Sequence, residues 1–388
     1  YGHPDLEPIL EDTYGIILFQ EQLLEVAHRF AGMSLEEADR FRDEISEARD
    51  PEDLKEMREQ FVGGAVENGV PRSDAEDVFE KVSGFVGYGF CRSHAAAFAE
   101  TVYQSAYLKA HHPAAFLAAV MTHRPGMYSQ MTLEEEARRF DAEIHGPDIH
   151  QSSVRFDIEP AGDGWAIRKP LTSVEEVSSE DARTIIFERL NDSFESVEDL
   201  YRRVNVDIDV LRNLAQSGAL ADISQDGRTA LWEVGVLHER LGSPGRSRQP
   251  KLFEEPALLP EDVPDLPELT ERERLSWDLE THRAARRHPM TLVRRQLTDL
   301  EVRPIETCHA FGTAISVSPE DPPPKITVAG LSILRQRPST ANGVMFLTLE
   351  DETGYIQCVC QPEIRQAYGH VLRSGAVIAR GKLQIEGN

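Results

Sequence analysis

The chain has 388 residues, 40% of them hydrophobic, which is enough to bury a core and too many for a single one, so two to four domains are expected. Its 67 acidic against 41 basic residues give a formal charge of -26, so the average surface repels phosphate and any nucleic-acid contact has to be made by a local patch. Four scattered cysteines, Cys91, Cys308, Cys358 and Cys360, exclude a disulfide framework, and the absence of any apolar run near the roughly 18–20 residues of a membrane span points to a cytoplasmic protein without a membrane partner.

Residues 1–125 read as helices. From Glu11 to Ala31 apolar residues recur at three- and four-residue steps, which predicts one buried amphipathic helix closed by Gly32. Ser34 followed by Glu36 and Glu37 opens a second helix, with a third over Pro51–Asn68 and a fourth over Arg72–Phe85. After the loop Gly87–Phe90, an Ala- and Tyr-rich stretch from Ser93 to Met121 is helical, bent or broken at Pro113. Alternation around Ala161-Gly162-Asp163-Gly164 predicts a hairpin between Ser152 and Leu171. Short helices with tight turns follow from Ser178 to about Leu241.

Residues 242–270 carry six prolines among acids and are expected to form an exposed linker, followed by one helix from about Glu271 to Leu300. A second proline break, Pro319–Pro324, precedes β-rich runs at Ile326–Arg335, Val344–Glu350 and Tyr355–Cys360. A helix at Pro362–Leu372 and a strand at Val377–Ile385 complete the series. Three strands, a helix and a fourth strand suit a Greek-key barrel of the OB type whose fifth strand would lie beyond Asn388. That missing strand and the absent initiator Met lead to the expectation of a piece of a longer chain. The fold class is thus mainly α, multi-domain, with a small, incomplete C-terminal β-barrel.

Several segments resemble one family. His3-Pro4, Leu10–Gly15 with Phe19-Gln20-Glu21-Gln22, and Ala38-Asp39 with Arg42 are similar to the fingers of bacterial C-family DNA polymerases, the family of the DNA polymerase III alpha subunit. Gly84–Phe90 followed by Ser93–Ala99 matches the family's most specific fingers signature, and Tyr107-Leu108-Lys109 with His112-Pro113 extends it. Arg335–Pro338 and Gly343–Gly354 resemble the OB domain of the error-prone branch, and Gly126-Met127-Tyr128 and His288-Pro289-Met290 point to the same branch.

The resemblance implies fingers at 1–150, a helix-hairpin-helix domain at 151–245, a Pro-rich tether and helix at 246–322, and the truncated OB unit at 323–388. It implies a DNA-directed DNA polymerase of the error-prone, translesion type, with template-primer DNA, a deoxynucleoside triphosphate, the sliding clamp and other lesion-bypass proteins as partners. Mg2+ would be bound by a palm outside this chain, so no catalytic residue or metal ligand is assigned here and the fragment alone is expected to be inactive. The alternatives are a replicative alpha subunit, or a non-catalytic DNA-binding or scaffold protein that kept these modules.

By position in the family, Arg42, Arg92, Ser93 and His94 are candidate nucleotide-binding residues, since fixed cations beside a phosphate gain most in a partly desolvated site. From the residues alone, Arg42 reads as a solvated helix cation, and His94 equally as an N-terminal helix residue or a core histidine. Asp43, Glu44 and Glu47 stand where the family carries further basic residues. In Leu171–Ser178, Glu176 and Ser178 replace both glycines of the hairpin turn and Glu175 replaces a usual cation, so a poor DNA grip is expected there. Gln249, Leu252 and Phe253 resemble the polymerase peptide that docks on the sliding clamp, against the reading of an ordinary linker. In the OB unit, Arg335, Arg337, Phe346 and Lys382 are candidate contacts to single-stranded DNA, although an aromatic on an alternating strand reads first as core. Cys358 and Cys360 read as packing.

Overall fold

A computed structural model of the chain describes residues 1–47, 51–84, 90–245, 257–314, 324–338, 341 and 343–384. The described chain forms two compact units, Tyr1–Tyr107 and Leu108–Asn388.

The first unit is helical. After a short α1 (Glu7–Leu10) come α2 (Gln20–Glu25), α3 (Leu35–Glu47), α4 (Pro51–Glu67), α5 (Arg72–Gly84) and α6 (Arg92–His111), the last of which runs past the unit's end. The single helix expected from Glu11 to Ala31 is a misreading. Glu11–Thr13 make one 3-10 turn, Tyr14 turns left-handed at φ 54°, and Ile16 is exposed. The cause is a buried amide. Gln22 accepts from the backbone N–H groups of Leu18 and Phe19 at 2.9 and 3.0 Å and donates to the Ile9 carbonyl and the Thr13 hydroxyl, so groups a longer helix would pair internally are held by a side chain.

Beyond it the sequence signals hold. Gly32 adopts φ 71°, and Ser34 and Glu37 exchange the two hydrogen bonds of a capping box at the start of α3. Phe30, Phe41, Phe61 and Phe79 interlock at centroid spacings of 5.6–5.9 Å in the core. Gly64 lets α4 approach so closely that a Cβ there would lie 2.1 Å from the Ala31 carbonyl oxygen.

In the second unit α7 (Pro113–His123) and α8 (Gln130–Arg139) pack on a small sheet of β1 (Ile144–His145), β2 (Asp157–Ala161) and β3 (Gly164–Arg168), in the order β1-β3-β2. The β2–β3 hairpin turns between Ala161 and Gly164 as the sequence implies; α8 and β1 were not expected. Next come α9 (Ser179–Asn191), α10 (Val197–Arg203), α11 (Ile208–Ser217) and α12 (Gly227–Leu241), closed around Leu171, Ile185, Leu200, Tyr201, Leu214 and Leu237. In the expected linker, the backbone N–H groups of Ala257 and Leu258 donate to Glu198.

The long helix expected from Glu271 to Leu300 is broken. α13 (Glu271–His282) stops where Arg283 turns left-handed at φ 54°, a 3-10 turn covers Pro289–Val293, and α14 (Arg294–Asp299) restarts the chain. Pro289 keeps His288 out of the helical region, at φ -57° and ψ 131°, and supplies no N–H, so periodicity cannot carry a helix through it. α15 (Ile305–Ala314) leads to the C-terminal sheet.

That sheet contains β4 (Lys325–Gln336), β5 (Met345–Asp351) and β6 (Gly354–Cys360), then α16 (Pro362–Tyr368) and β7 (Ala376–Lys382), with strand order β6-β5-β4-β7 and every pair antiparallel. It curls as half a barrel of the OB type. Ile326, Val328, Leu347, Leu349, Cys358, Cys360 and Val377 face inward against Ile305, Cys308 and Leu372. Burial pushes the Cys358 thiol up to about 11, which marks it as packing. The outer side of β4 is covered in part by Met290, Leu297 and Val302, which pack on Ala329.

The barrel's β5–β6 corner is fixed by charge. Glu350 and Asp351 have no solvent exposure. Arg139 at the end of α8 reaches Glu350 at 2.8 Å, and Arg294 reaches Asp351 at 2.8 Å and also holds Glu352. Asp351 in turn accepts from the N–H groups of Ile305, Thr353 and Gly354.

Removing one partner leaves a carboxylate stranded in the interior. Arg139→Ala is therefore expected to cost about 3–5 kcal/mol, read as a lowered urea midpoint of the whole chain. Burial also holds two imidazoles neutral, His282 with its pKa lowered to about 3 and His288 to about 4, against an ordinary 6.5. The unfolded chain takes up these protons near pH 6.5 and the folded chain resists. The associated stability is complete above pH 6.5 and is lost as pH falls through about 4 and then 3. Thermal melts from pH 7.5 down to 4 should show a steep decline that His288→Phe makes shallower.

Candidate nucleotide and nucleic-acid interfaces

The first turn of α6 carries three of the expected nucleotide-binding residues side by side. Arg92, Ser93 and His94 are all exposed, directly after Phe90 and Cys91; the signature loop 85–89 lies outside the described residues. The helix start is anchored from a distance in sequence. The Arg92 N–H donates to both carboxylate oxygens of Glu21, at 3.1 and 3.0 Å, and its guanidinium donates to Asp12 at 2.6 Å while standing 5.6 Å from the Phe19 ring centroid. Phe19 and Phe90 meet edge-on, and Gln20 N–H donates to the Phe90 carbonyl.

A free helix N-terminus attracts anions; here one carboxylate and one ion pair position the turn while leaving Ser93 and His94 open. His94 packs its ring against Phe98 at 4.6 Å. Along the same helix Phe98, Val102 and Tyr103 are exposed, and no residue of α6 is buried.

Arg42 sits on a different helix, α3, where Asp39 and Asp43 hold its guanidinium at 3.1 and 2.8 Å and leave its side chain 27% exposed. Of the acids that depart from the family pattern, Asp43 is thus a partner of Arg42, while its other partner, Asp39, belongs to the segment that resembles the family.

In the hairpin before α9, Glu176 occupies φ 65°, the left-handed conformation that suits the glycine it replaces. Its neighbour Glu175 donates its N–H to the Thr281 carbonyl at 2.8 Å and pairs through its carboxylate with Arg283. The end of α13 therefore occupies an amide and a flank of this turn. The turn after α11 is structural: Gly218, at φ 82°, caps α11 by donating to Ala215, and Arg286 donates to the Ser217 carbonyl.

On the barrel, Phe346 pairs with Gln336 and Val359 and lies on the face opposite Leu347 and Leu349, so it stands outside the core. Val359 and Tyr355 are exposed on that strand pair, with the Arg139 guanidinium 5.4 Å from the Tyr355 ring centroid. Arg335 closes the barrel by donating to the carbonyls of Leu372 and Ser374, and Arg337 is exposed just after β4. Lys382 is exposed directly opposite Lys325, with Arg380 two residues along on the same side. Sequence reasoning missed Lys325 and Arg380; alternation along both strands carries the signal, but only the register brings the three cations together. Among the described residues none of the three forms an ion pair.

Gln249, Leu252 and Phe253 lie outside the described residues. Among the described residues no helix is long and apolar enough to cross a membrane. One group of three side chains there could reach a common ion, Asp148, His150 and Asp222. Its imidazole departs from the all-oxygen octahedron that Mg2+ takes, so these residues do not fit the polymerisation metal.

Comparison with known proteins decides the family. The profile of the bacterial DNA polymerase III alpha subunit finger domain matches residues 1–69, a helix-hairpin-helix motif matches 141–230, and an OB-fold nucleic acid binding domain matches 326–387. An error-prone DNA polymerase of Anaeromyxobacter dehalogenans (strain 2CP-C) is 35% identical over 398 residues, covering 100% of this chain and 34% of that protein. Those of Cutibacterium acnes (33% over 429 residues) and Mycobacterium bovis (34% over 393 residues) each cover 99% of this chain and 36% and 34% of their own length.

The chain belongs to the bacterial DNA polymerase III alpha subunit family.

It spans about a third of the length of the curated relatives it matches. Within this family's frame the degenerate first hairpin is a testable departure. Because a left-handed backbone costs a non-glycine residue roughly 1 kcal/mol, Glu176→Gly should stabilise the chain by about that amount and raise its melting temperature by a few degrees.

Proposed function

We propose that the chain is the fingers, helix-hairpin-helix and OB portion of a DNA-directed DNA polymerase of the error-prone, lesion-bypassing type. The observation that carries this reading is the alignment of the entire chain, in order and at 33–35% identity, with proteins named error-prone DNA polymerase. In this reading the first turn of α6 receives the triphosphate of the incoming nucleotide. Arg92 exchanges its ion pair with Asp12 for phosphate oxygens, Ser93 and His94 donate hydrogen bonds, and Arg42 adds charge from α3.

The outer face of the barrel carries the single-stranded template. Phe346 and Tyr355 offer surfaces for base stacking, while Arg337, Lys382, Lys325 and Arg380 offer phosphate contacts; Arg335 braces the barrel. Gln249, Leu252 and Phe253 attach the polymerase to the sliding clamp. A palm domain elsewhere in the full-length protein holds divalent metal ions and performs phosphoryl transfer. The replicative role is the nearest rival within the family.

Primer extension by the full-length protein tests both levels. Synthesis past an abasic site is expected, whereas complete stalling at the lesion on a template it otherwise copies would assign the replicative role. His94→Ala should raise KM for the incoming nucleotide about tenfold while leaving the fold intact; an unchanged KM removes His94 from the nucleotide site.

A further inference from the structure

We propose that Asp148, His150 and Asp222 form a binding site for one zinc-class divalent cation that ties the loop before β2 to the turn after α11. Their ligand atoms all lie within 4.8 Å of one another. The loop is ordered from within. One Asp148 carboxylate oxygen accepts from the N–H groups of His150 and Gln151 at 2.7 and 2.8 Å, which aims the carboxylate and leaves its second oxygen with only a 3.4 Å contact from the Gln151 amide. The two ligand-bearing segments are already joined, because Ile149 N–H donates to the Ala219 carbonyl at 2.9 Å.

The imidazole decides the chemistry. Nε2 of His150 lies 3.1 Å from the Phe194 carbonyl, an acceptor only, so Nε2 carries a proton and donates it. Nδ1 then presents its lone pair toward Asp222, whose nearer oxygen stands 3.6 Å away. That 3.6 Å gap is too long for a hydrogen bond and close to the roughly 3.3 Å edge of a tetrahedron with metal–ligand bonds near 2.0–2.1 Å.

The Phe194 carbonyl behind Nε2 is the second partner that metal-bound histidines characteristically have, and the Phe194 ring lies nearly parallel to the imidazole, with an interplanar angle of 23°. One imidazole and two carboxylates, with a position left for water, suit Zn2+ and its spectroscopic stand-in Co2+. The Arg189 guanidinium, which donates to the Ile149 carbonyl at 3.0 Å, is a neighbouring positive charge the cation has to compete with.

The test is titration of the whole chain with Co2+, followed by visible absorption, with Zn2+ added to displace it. One equivalent with a tetrahedral d–d band, bleached by Zn2+, is expected. Asp222→Asn, at a half-exposed position whose neutral replacement should not perturb the fold, should weaken the affinity at least tenfold, and His150→Ala should abolish the band. A chain that shows no saturable band overturns the proposal. So does an unchanged band in either variant, which would place the ion elsewhere among the 13 histidines.

Discussion

Two fully buried carboxylates on adjacent residues, Glu350 and Asp351, impose the constraint on which the second unit is built. Placing both there without counter-charge would be costly, because removing a carboxylate from water costs several kcal/mol even after relaxation. Arg139 and Arg294 supply that charge from α8 and α14, and Asp351 adds three backbone N–H partners. Apolar contact alone would let the half-barrel slide over its neighbours. Directional bonds of this kind accept one placement, so the β5–β6 corner, and with it the face that bears Phe346 and Tyr355, is held in register with the helices behind it.

Much of this architecture is legible in the sequence because its signals are local. Ser34 and Thr270 announce their helices through a hydroxyl and a carboxylate three residues on, and Ala161–Gly164 declares its hairpin. The four barrel strands follow from alternation. The misreadings arise where a distant or single group overrides periodicity: Gln22 captures the backbone ahead of α2, and Pro289 interrupts a stretch whose apolar spacing continues beyond it. The candidate nucleotide site comes from resemblance alone. Its supports, Asp12 and Glu21, are acids among many, with no local mark that they would meet Arg92. Arg335 and Lys382 look equivalent as letters, yet one braces backbone carbonyls and the other stands exposed on an outer edge.

The acidic excess takes on a structural meaning in this light. Arg42 is held by Asp39 and Asp43 and Arg92 by Asp12, so guanidinium groups at candidate contact points already carry counter-charge. A phosphate approaching them has to displace a carboxylate instead of filling a vacancy. Binding of that kind discriminates: a flexible polyanion gains little, and only a ligand that offers several oxygens in the right geometry outcompetes a side chain already in place.

At the barrel edge the opposite arrangement holds, since Lys325 and Lys382 face each other across the β4–β7 ladder with Arg380 beside them. Like charges placed directly across a ladder repel, so this edge is a local weak point in the isolated protein. Dissolved ions would relieve that repulsion and firm the ladder, while the same ions would loosen any grip on a polyanion. Rising ionic strength should therefore push the barrel's own cohesion and any hold on a nucleic-acid strand in opposite directions.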